Sequence, residues 1–214
     1  MAYTFWSNVG IDIQTALATA IPITGITKAS PAVVSYTGTD PVNGDYVVFD
    51  VLGMYQLDGV VGRVANVNGA GNTFEIEGVD STLFETFVSG TYQIITFGAS
   101  MTNVQEVNPS GGEPEFADIT TIHQNIRTRV PVVTSPLSFS MTGLFDPTDP
   151  GMIELAKATR AIAQRCIKFR FSNGNKMVFQ AYVSAPGVPT GSAQQAVQTP
   201  ISLEAQGIPT VYST

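Results

Sequence analysis

The stretch that decides the fold runs from Asp149 to Val183 and reads DPGMIELAKATRAIAQRCIKFRFSNGNKMVFQAYV. Asp149 is a good helix N-cap, because its carboxylate accepts from an orphan N–H of the first turn. Pro150 suits the first helical position, where no N–H is needed. From Gly151 to Arg165 the residues Met152, Leu155, Ala156, Ile162 and Ala163 form an apolar stripe at helical spacing. Thr159 is its one polar member and is expected to bond its hydroxyl back to the preceding turn. Lys157, Arg160 and Arg165 then lie on this helix. The period next switches to two. Ile167, Phe169 and Phe171 alternate with Lys168 and Arg170, which predicts a strand with one wet, basic face. Asn173-Gly174 is a hairpin signal. Lys176 to Ser184 returns as the partner strand, with Met177, Phe179, Ala181 and Val183 on one face.

Working outward, Leu137 to Met141 and Val197 to Ala205 read as further strands, and Pro186 to Ala193 as a loop. Between Gly25 and Thr96 short β-branched runs alternate with Gly/Asn/Asp turns: Pro31–Tyr36, Tyr46–Leu52, Val60–Val67, Thr73–Glu77 and Thr91–Thr96. This predicts a small all-β module. The first 24 residues fit a strand or a short helix, and Pro22 favours the extended form. Phe97 to Pro136 is more polar. Ala117 to Pro131 lacks strong periodicity, which marks a partner-binding excursion. The predicted architecture is mainly β with one flanking helix. It is divided into a discontinuous domain (1–24 and 97–214) and an inserted small β module (25–96).

Composition excludes several classes. Only 13% of residues are charged and 43% are hydrophobic, against about 25% charged in ordinary domains. That is the opposite of a disordered chain. The net charge of −7 hides a split. Residues 1–126 hold two basic and thirteen acidic residues, a balance of −11. Residues 127–214 hold eight basic and four acidic, a balance of +4. Clustered Lys/Arg for gripping duplex DNA is missing. The single Cys166 rules out an intrachain disulfide framework or a Cys-based zinc site. No run of eighteen apolar residues predicts a membrane span. Ala18-Thr19-Ala20 imitates a cleavage site, but no Lys or Arg precedes it, so no signal peptide and a cytoplasmic site of synthesis are expected.

Catalytic chemistry is not visible. His123, the one histidine, lies in a Thr/Asn/Gln-rich stretch with no nucleophile beside it, and reads as a surface or interface residue. Cys166 reads as a buried structural thiol. Glu113 and Glu115 read as solvated acids, and Asp40, Asn43 and Asp45 as turn caps rather than calcium ligands. No phosphate-binding or dinucleotide fingerprint occurs. No enzyme activity, cofactor or metal is expected.

The Asp149–Val183 block resembles the tail tube proteins of long-tailed, lambda-like bacteriophages. Those carry an Arg-Phe-Pro-Asn-Gly turn and a Phe-x-Gly-Trp-Val strand after the helix. Here the matching residues are Arg170-Phe171-Ser172-Asn173-Gly174 and Phe179-Gln180-Ala181-Tyr182-Val183. Ser172 stands for the proline and Ala181-Tyr182 for Gly-Trp. Ser202 to Pro209 is similar to the family's last strand. Gly25–Ala29, Asn43–Asp45 and Gly53–Ala65 resemble a β module inserted near the start of such proteins. An immunoglobulin-like C-terminal domain, carried by some relatives, is not expected.

The resemblance implies a tail-tube-type β-sandwich or barrel whose copies form hexameric rings, stacked into a tube that conducts the genome. Its implied partners are further copies, the tape measure, terminator and tail-tip proteins, with DNA passing unbound and no membrane. The implied location is the virion tail, after synthesis in the bacterial cytoplasm. The excursion at Asp118–Thr134 corresponds to the region that helps rings stack. Asp118, Thr120, Thr121, His123, Arg127 and Arg129 are therefore the stacking candidates. Lys157, Arg160, Lys168 and Arg170 are read either as an ordinary solvated face or as a basic face meeting a neighbour's acidic half. Two other readings stay open: a related tube or head–tail completion protein of a contractile or secretion machine, and a carbohydrate-binding β module. The lone Trp6 lies outside the block that would make such a contact.

Overall fold

The computed structural model describes residues 7–213, so Trp6 lies outside the described residues. In chain order the elements are β1 (Gly10–Leu17), β2 (Ile21–Ile26), β3 (Ala32–Tyr36), β4 (Tyr46–Leu52), β5 (Val61–Asn68), β6 (Thr73–Ile76), β7 (Ser89–Met101) and β8 (Val104–Ser110). They continue with β9 (Pro114–Asp118), β10 (Arg129–Thr134), β11 (Ser138–Leu144), α1 (Pro150–Ala161), β12 (Gln164–Arg170), β13 (Lys176–Ser184), β14 (Gln198–Ala205) and β15 (Thr210–Tyr212). The protein is mainly β, as its alternating patterns require.

Strands β2-β3-β6-β5-β4-β7 pair in that order, and β7 returns to β2 through Ile21↔Tyr92 and Ile23↔Gly90. The result is a small closed antiparallel barrel with no free edge. Its interior is filled by the inward residues of each alternating run, among them Val34, Phe49 and Ile76. Tyr92 packs edge-on against both Tyr36 and Phe74 at its centre, with Phe74 and Tyr92 centroids 5.2 Å apart. Ile21 and Ile23 also enter this core.

Strand β7 outruns the expected Thr91–Thr96 in both directions. Its first half belongs to the barrel, and its second half pairs with β1 from Ile95 to Met101. A second sheet follows in the order β7-β1-β12-β13-β14-β11-β8. Its inner face carries Ile13, Phe139, Phe169, Phe179 and Leu203. Helix α1 covers this core with Met152, Leu155 and Ala158. Gly151 lets the helix seat closely, since a Cβ there would lie 2.2 Å from Met101 Cγ.

The expected cap is present: the Met152 N–H donates to Asp149 Oδ1 at 2.9 Å. The expected C-terminus is not. The helix stops at Ala161 rather than Arg165, and Ile162 takes a left-handed conformation (φ 50°) with its side chain exposed. The Ile162 N–H donates to the Thr159 carbonyl and the Ala163 N–H to the Ala158 carbonyl. This double closure ends the helix without the usual glycine. Ile162 therefore leaves the apolar stripe, and Arg165 belongs to β12. Thr159 behaves as expected: its hydroxyl donates to the Leu155 carbonyl at 2.9 Å.

The turn between β12 and β13 is a three-residue loop, Ser172-Asn173-Gly174. The Phe171 N–H donates to Asn175 O, the Gly174 N–H to Phe171 O, and Gly174 has φ 89°. Glycine takes that left-handed position without a Cβ clash.

A third core joins barrel to sheet. Tyr46, Val48 and Val61 of the barrel meet Ile95, Cys166, Val178 and Tyr212. Strand β15, which no pattern announced, supplies Tyr212. Its hydroxyl accepts the Arg63 N–H at 2.9 Å, and the Thr210 hydroxyl donates to the Val61 carbonyl at 2.7 Å. The face of β12 expected to be wet is thus covered by a second layer at Cys166 and largely at Lys168, and stays open at Arg170.

Candidate assembly surfaces

Strands β9 and β10 form a two-stranded sheet of their own, joined to no other strand among the described residues. Every residue from 111 to 134 is exposed. The excursion read as weakly periodic is thus a projecting hairpin arm. Its apolar residues include Phe116, Val130 and Val132, with Ile122 96% and Ile126 80% exposed at the tip. An isolated two-stranded hairpin is marginal in water, and exposed apolar residues in one contiguous element mark an interaction surface.

The tip is ordered by its own polar groups. Asp118 accepts the Thr120 N–H at 2.9 Å, Thr120 Oγ1 accepts the Thr128 N–H at 3.0 Å, and Ile119 N–H donates to the Thr128 carbonyl at 3.0 Å. The Thr120 hydrogen bonds hold the Asp118 carboxyl below its ordinary value, with a smaller contribution from Arg129 opposite it in the ladder. Thr121 and His123 lie in the same loop, and Arg127 and Arg129 on the returning limb. All six stacking candidates are therefore gathered on one arm.

The four basic-face candidates separate into two pairs. Lys157 and Arg160 are exposed on α1, beside a shallow groove lined by Phe145, Pro147, Ile153 and Ala156. Lys157 also pairs with Glu154 at 2.6 Å. Lys168 and Arg170 instead turn to Asp12 of β1. Arg170 donates through Nε at 2.6 Å and Nη2 at 2.8 Å, Ser100 donates at 2.7 Å, and Lys168 Nζ lies at 3.2 Å. Lys168 is only 15% exposed and sits over the Phe97 ring, 4.3 Å from its centroid. Both charges are engaged with Asp12 inside the chain, with Lys168 mostly covered and Arg170 still half-exposed. Burial pushes the Asp12 carboxyl up, but the hydrogen bonds from Arg170, Ser100 and Lys168 outweigh it and hold it below its ordinary value.

The cluster pins β1 between β12 and β7. Sequence reading missed Asp12, because its partners lie 88 to 158 positions away. The one signal available was an acid inside an apolar run.

A second open surface is the outer edge of β8, which among the described residues pairs only with β11 and ends the sheet. Beside it runs a groove between Val9 and Ile11 on one side and Val104 and Val107 on the other. Unpaired strand edges are ready templates for another chain.

The groups considered for chemistry occupy structural places. Cys166 is fully buried, and burial pushes its thiol up to about 12. Asp40 accepts the Tyr36 hydroxyl, Asn43 the Val67 N–H, and Asp45 the Val42 N–H. Among the described residues no three His, Cys, Asp or Glu side chains converge as for a metal ion, and no helix is long and apolar enough to cross a membrane.

Compared with known proteins, the chain matches no curated sequence. It does match a family model, described as phage tail tube protein (TTP), over residues 53–214. That span takes in the second half of the barrel, the projecting arm, the helix and every strand of the second sheet except β1. The match covers most of the chain and accords with its mainly β fold, and the chain belongs to the phage tail tube protein family.

Proposed function

We propose that this chain is the major tail tube subunit of a lambda-like, long-tailed phage, whose copies close into hexameric rings and stack into a tube that conducts the genome. The projecting arm carries the reading. A subunit built to remain alone would cover or shorten such a hairpin, whereas a stacking subunit needs a contact that leaves its own ring. Side-to-side closure requires a second, heterologous surface. The open β8 edge and the exposed Lys157 and Arg160 are available for it.

The net charge of −7 supports a conduit. A lumen dense in lysine would hold phosphate at every ring, whereas a negative wall lets DNA pass. A barrel with a core of its own supports an inserted module of the kind expected at 25–96 within a tube domain of 1–24 and 97–214, with its start moved back to β2 because Ile21 and Ile23 enter that core. Its partners are further copies and other tail proteins, in the virion tail.

The stacking role is tested with the double variant Arg127→Glu/Arg129→Glu. Both residues are exposed and outside every core, so the melting temperature should stay within a degree or two of wild type, as for surface changes of about 0.5 kcal/mol. Tube yield should collapse. Wild-type yield from the double variant refutes the role.

A further inference from the structure

The barrel has two ends, and one of them is unusual. The registers Leu52↔Ser89, Ile23↔Gly90 and Ala32↔Ile76 bring the loops 27–31, 53–60 and 77–88 together at the same end. The Val88 N–H donates to the Leu52 carbonyl at 3.0 Å and the Glu85 N–H to Gln56 Oε1 at 3.2 Å, which ties two of these loops to each other. This end exposes Leu52, Tyr55, Val88 and Leu83, the last at 93%. Around them stand Asp50, Asp80 and Glu85, all exposed, against Lys28 as the one basic residue of the three loops. It is an apolar patch with an acidic rim.

The arm tip is its complement. Ile119, Ile122 and Ile126 are exposed there, accompanied by Arg127 and Arg129, and no carboxylate occurs between Ile119 and Phe145. From this match we infer that the acidic, apolar end of the barrel is the socket that receives the arm tip of a second copy. The inference rests on the stacking role proposed for the arm and gives that arm its receptor. The groove on α1 is the competing receptor. Its rim carries Lys157 and Arg160 beside Asp146, and Lys157 is already paired with Glu154, so it offers Arg127 and Arg129 no net acidic surface, unlike the barrel end. The barrel thereby becomes part of the assembly machinery rather than a decoration.

Disulfide trapping with the full chain tests this directly, since the native Cys166 is buried. Ile122→Cys/Leu83→Cys should give a ladder of covalent multimers on oxidation, and Ile122→Cys/Ile153→Cys should not. The charge arm of the test uses Arg127→Glu/Arg129→Glu, which should reduce multimer yield about tenfold or more. Adding Asp80→Lys/Glu85→Lys should restore it. A ladder from the tip–helix pair, no ladder from the tip–barrel pair, or no rescue by the charge swap overturns the socket. If the Arg double variant assembles like wild type, the stacking role of the arm fails with it.

Discussion

Asp12→Asn isolates the one buried ion cluster that sets the position of β1. The substitution keeps the shape and removes the charge. Asp12 is 6% exposed and accepts from Arg170, Ser100 and Lys168. Removing one member of a buried pair costs about 3–5 kcal/mol, because the partner charge is left uncompensated. The lower end applies here: Arg170 is 48% exposed and turns to water, whereas Lys168 at 15% exposure cannot do so fully. The expected loss at neutral pH is therefore ~3 kcal/mol, or about 6–12 °C in melting temperature for a chain of this size.

The pH dependence follows from the sign of the shift. The Asp12 carboxyl is held below the 3.8 of a free aspartate. Its stabilisation is complete above that value and is lost as pH falls through the lower, folded value. Urea unfolding of wild type and variant between pH 2.5 and 7 should show a gap that is constant above about pH 5 and narrows below about pH 4. A loss under about 1 kcal/mol at pH 7, or a gap that ignores pH, refutes the assignment.

Three further outcomes follow from the packing. Leu155→Ala empties a fully buried site between α1 and the sheet, and chemical denaturation should show a loss of about 2–5 kcal/mol. Cys166 should resist a thiol reagent at pH 8 in the folded protein and react fully in denaturant, because burial holds its thiol at about 12. Tyr212→Phe removes the acceptor of the Arg63 N–H; a loss of about 1 kcal/mol is expected in the same denaturation assay.

What could be read in the sequence was whatever burial had imprinted on it. Strands β4 and β13 match their expected spans because one face of each is core along its length and part of the other is buried too (Tyr46 and Val48, Val178), which forces a visibly apolar run. The Asp149-Pro150 start of α1 is a local signal and was legible for that reason. Its end was not. Ile162 continues an apolar stripe on paper, but the chain needs β12 to begin at Gln164, and a left-handed residue makes the break. The arm left little signature because both of its faces are exposed, so no inside–outside alternation exists to be read. The wet face assigned to Lys168 and Arg170 holds at the exposed Arg170 but not at Lys168, for a related reason. The layer that covers it comes from Tyr46 of the barrel and from Tyr212, a strand of three residues near the far end of the chain. Assembly surfaces are harder still, since their covering partner is another molecule.

The central claim is that this chain builds a tube, and electron microscopy of the purified full chain tests it most directly. The prediction is stacked rings of sixfold symmetry around an open lumen, with each arm reaching the next ring and seated on a barrel end. Material that stays monomeric, with no rings or tubes at high concentration or with tail-initiating proteins added, contradicts it.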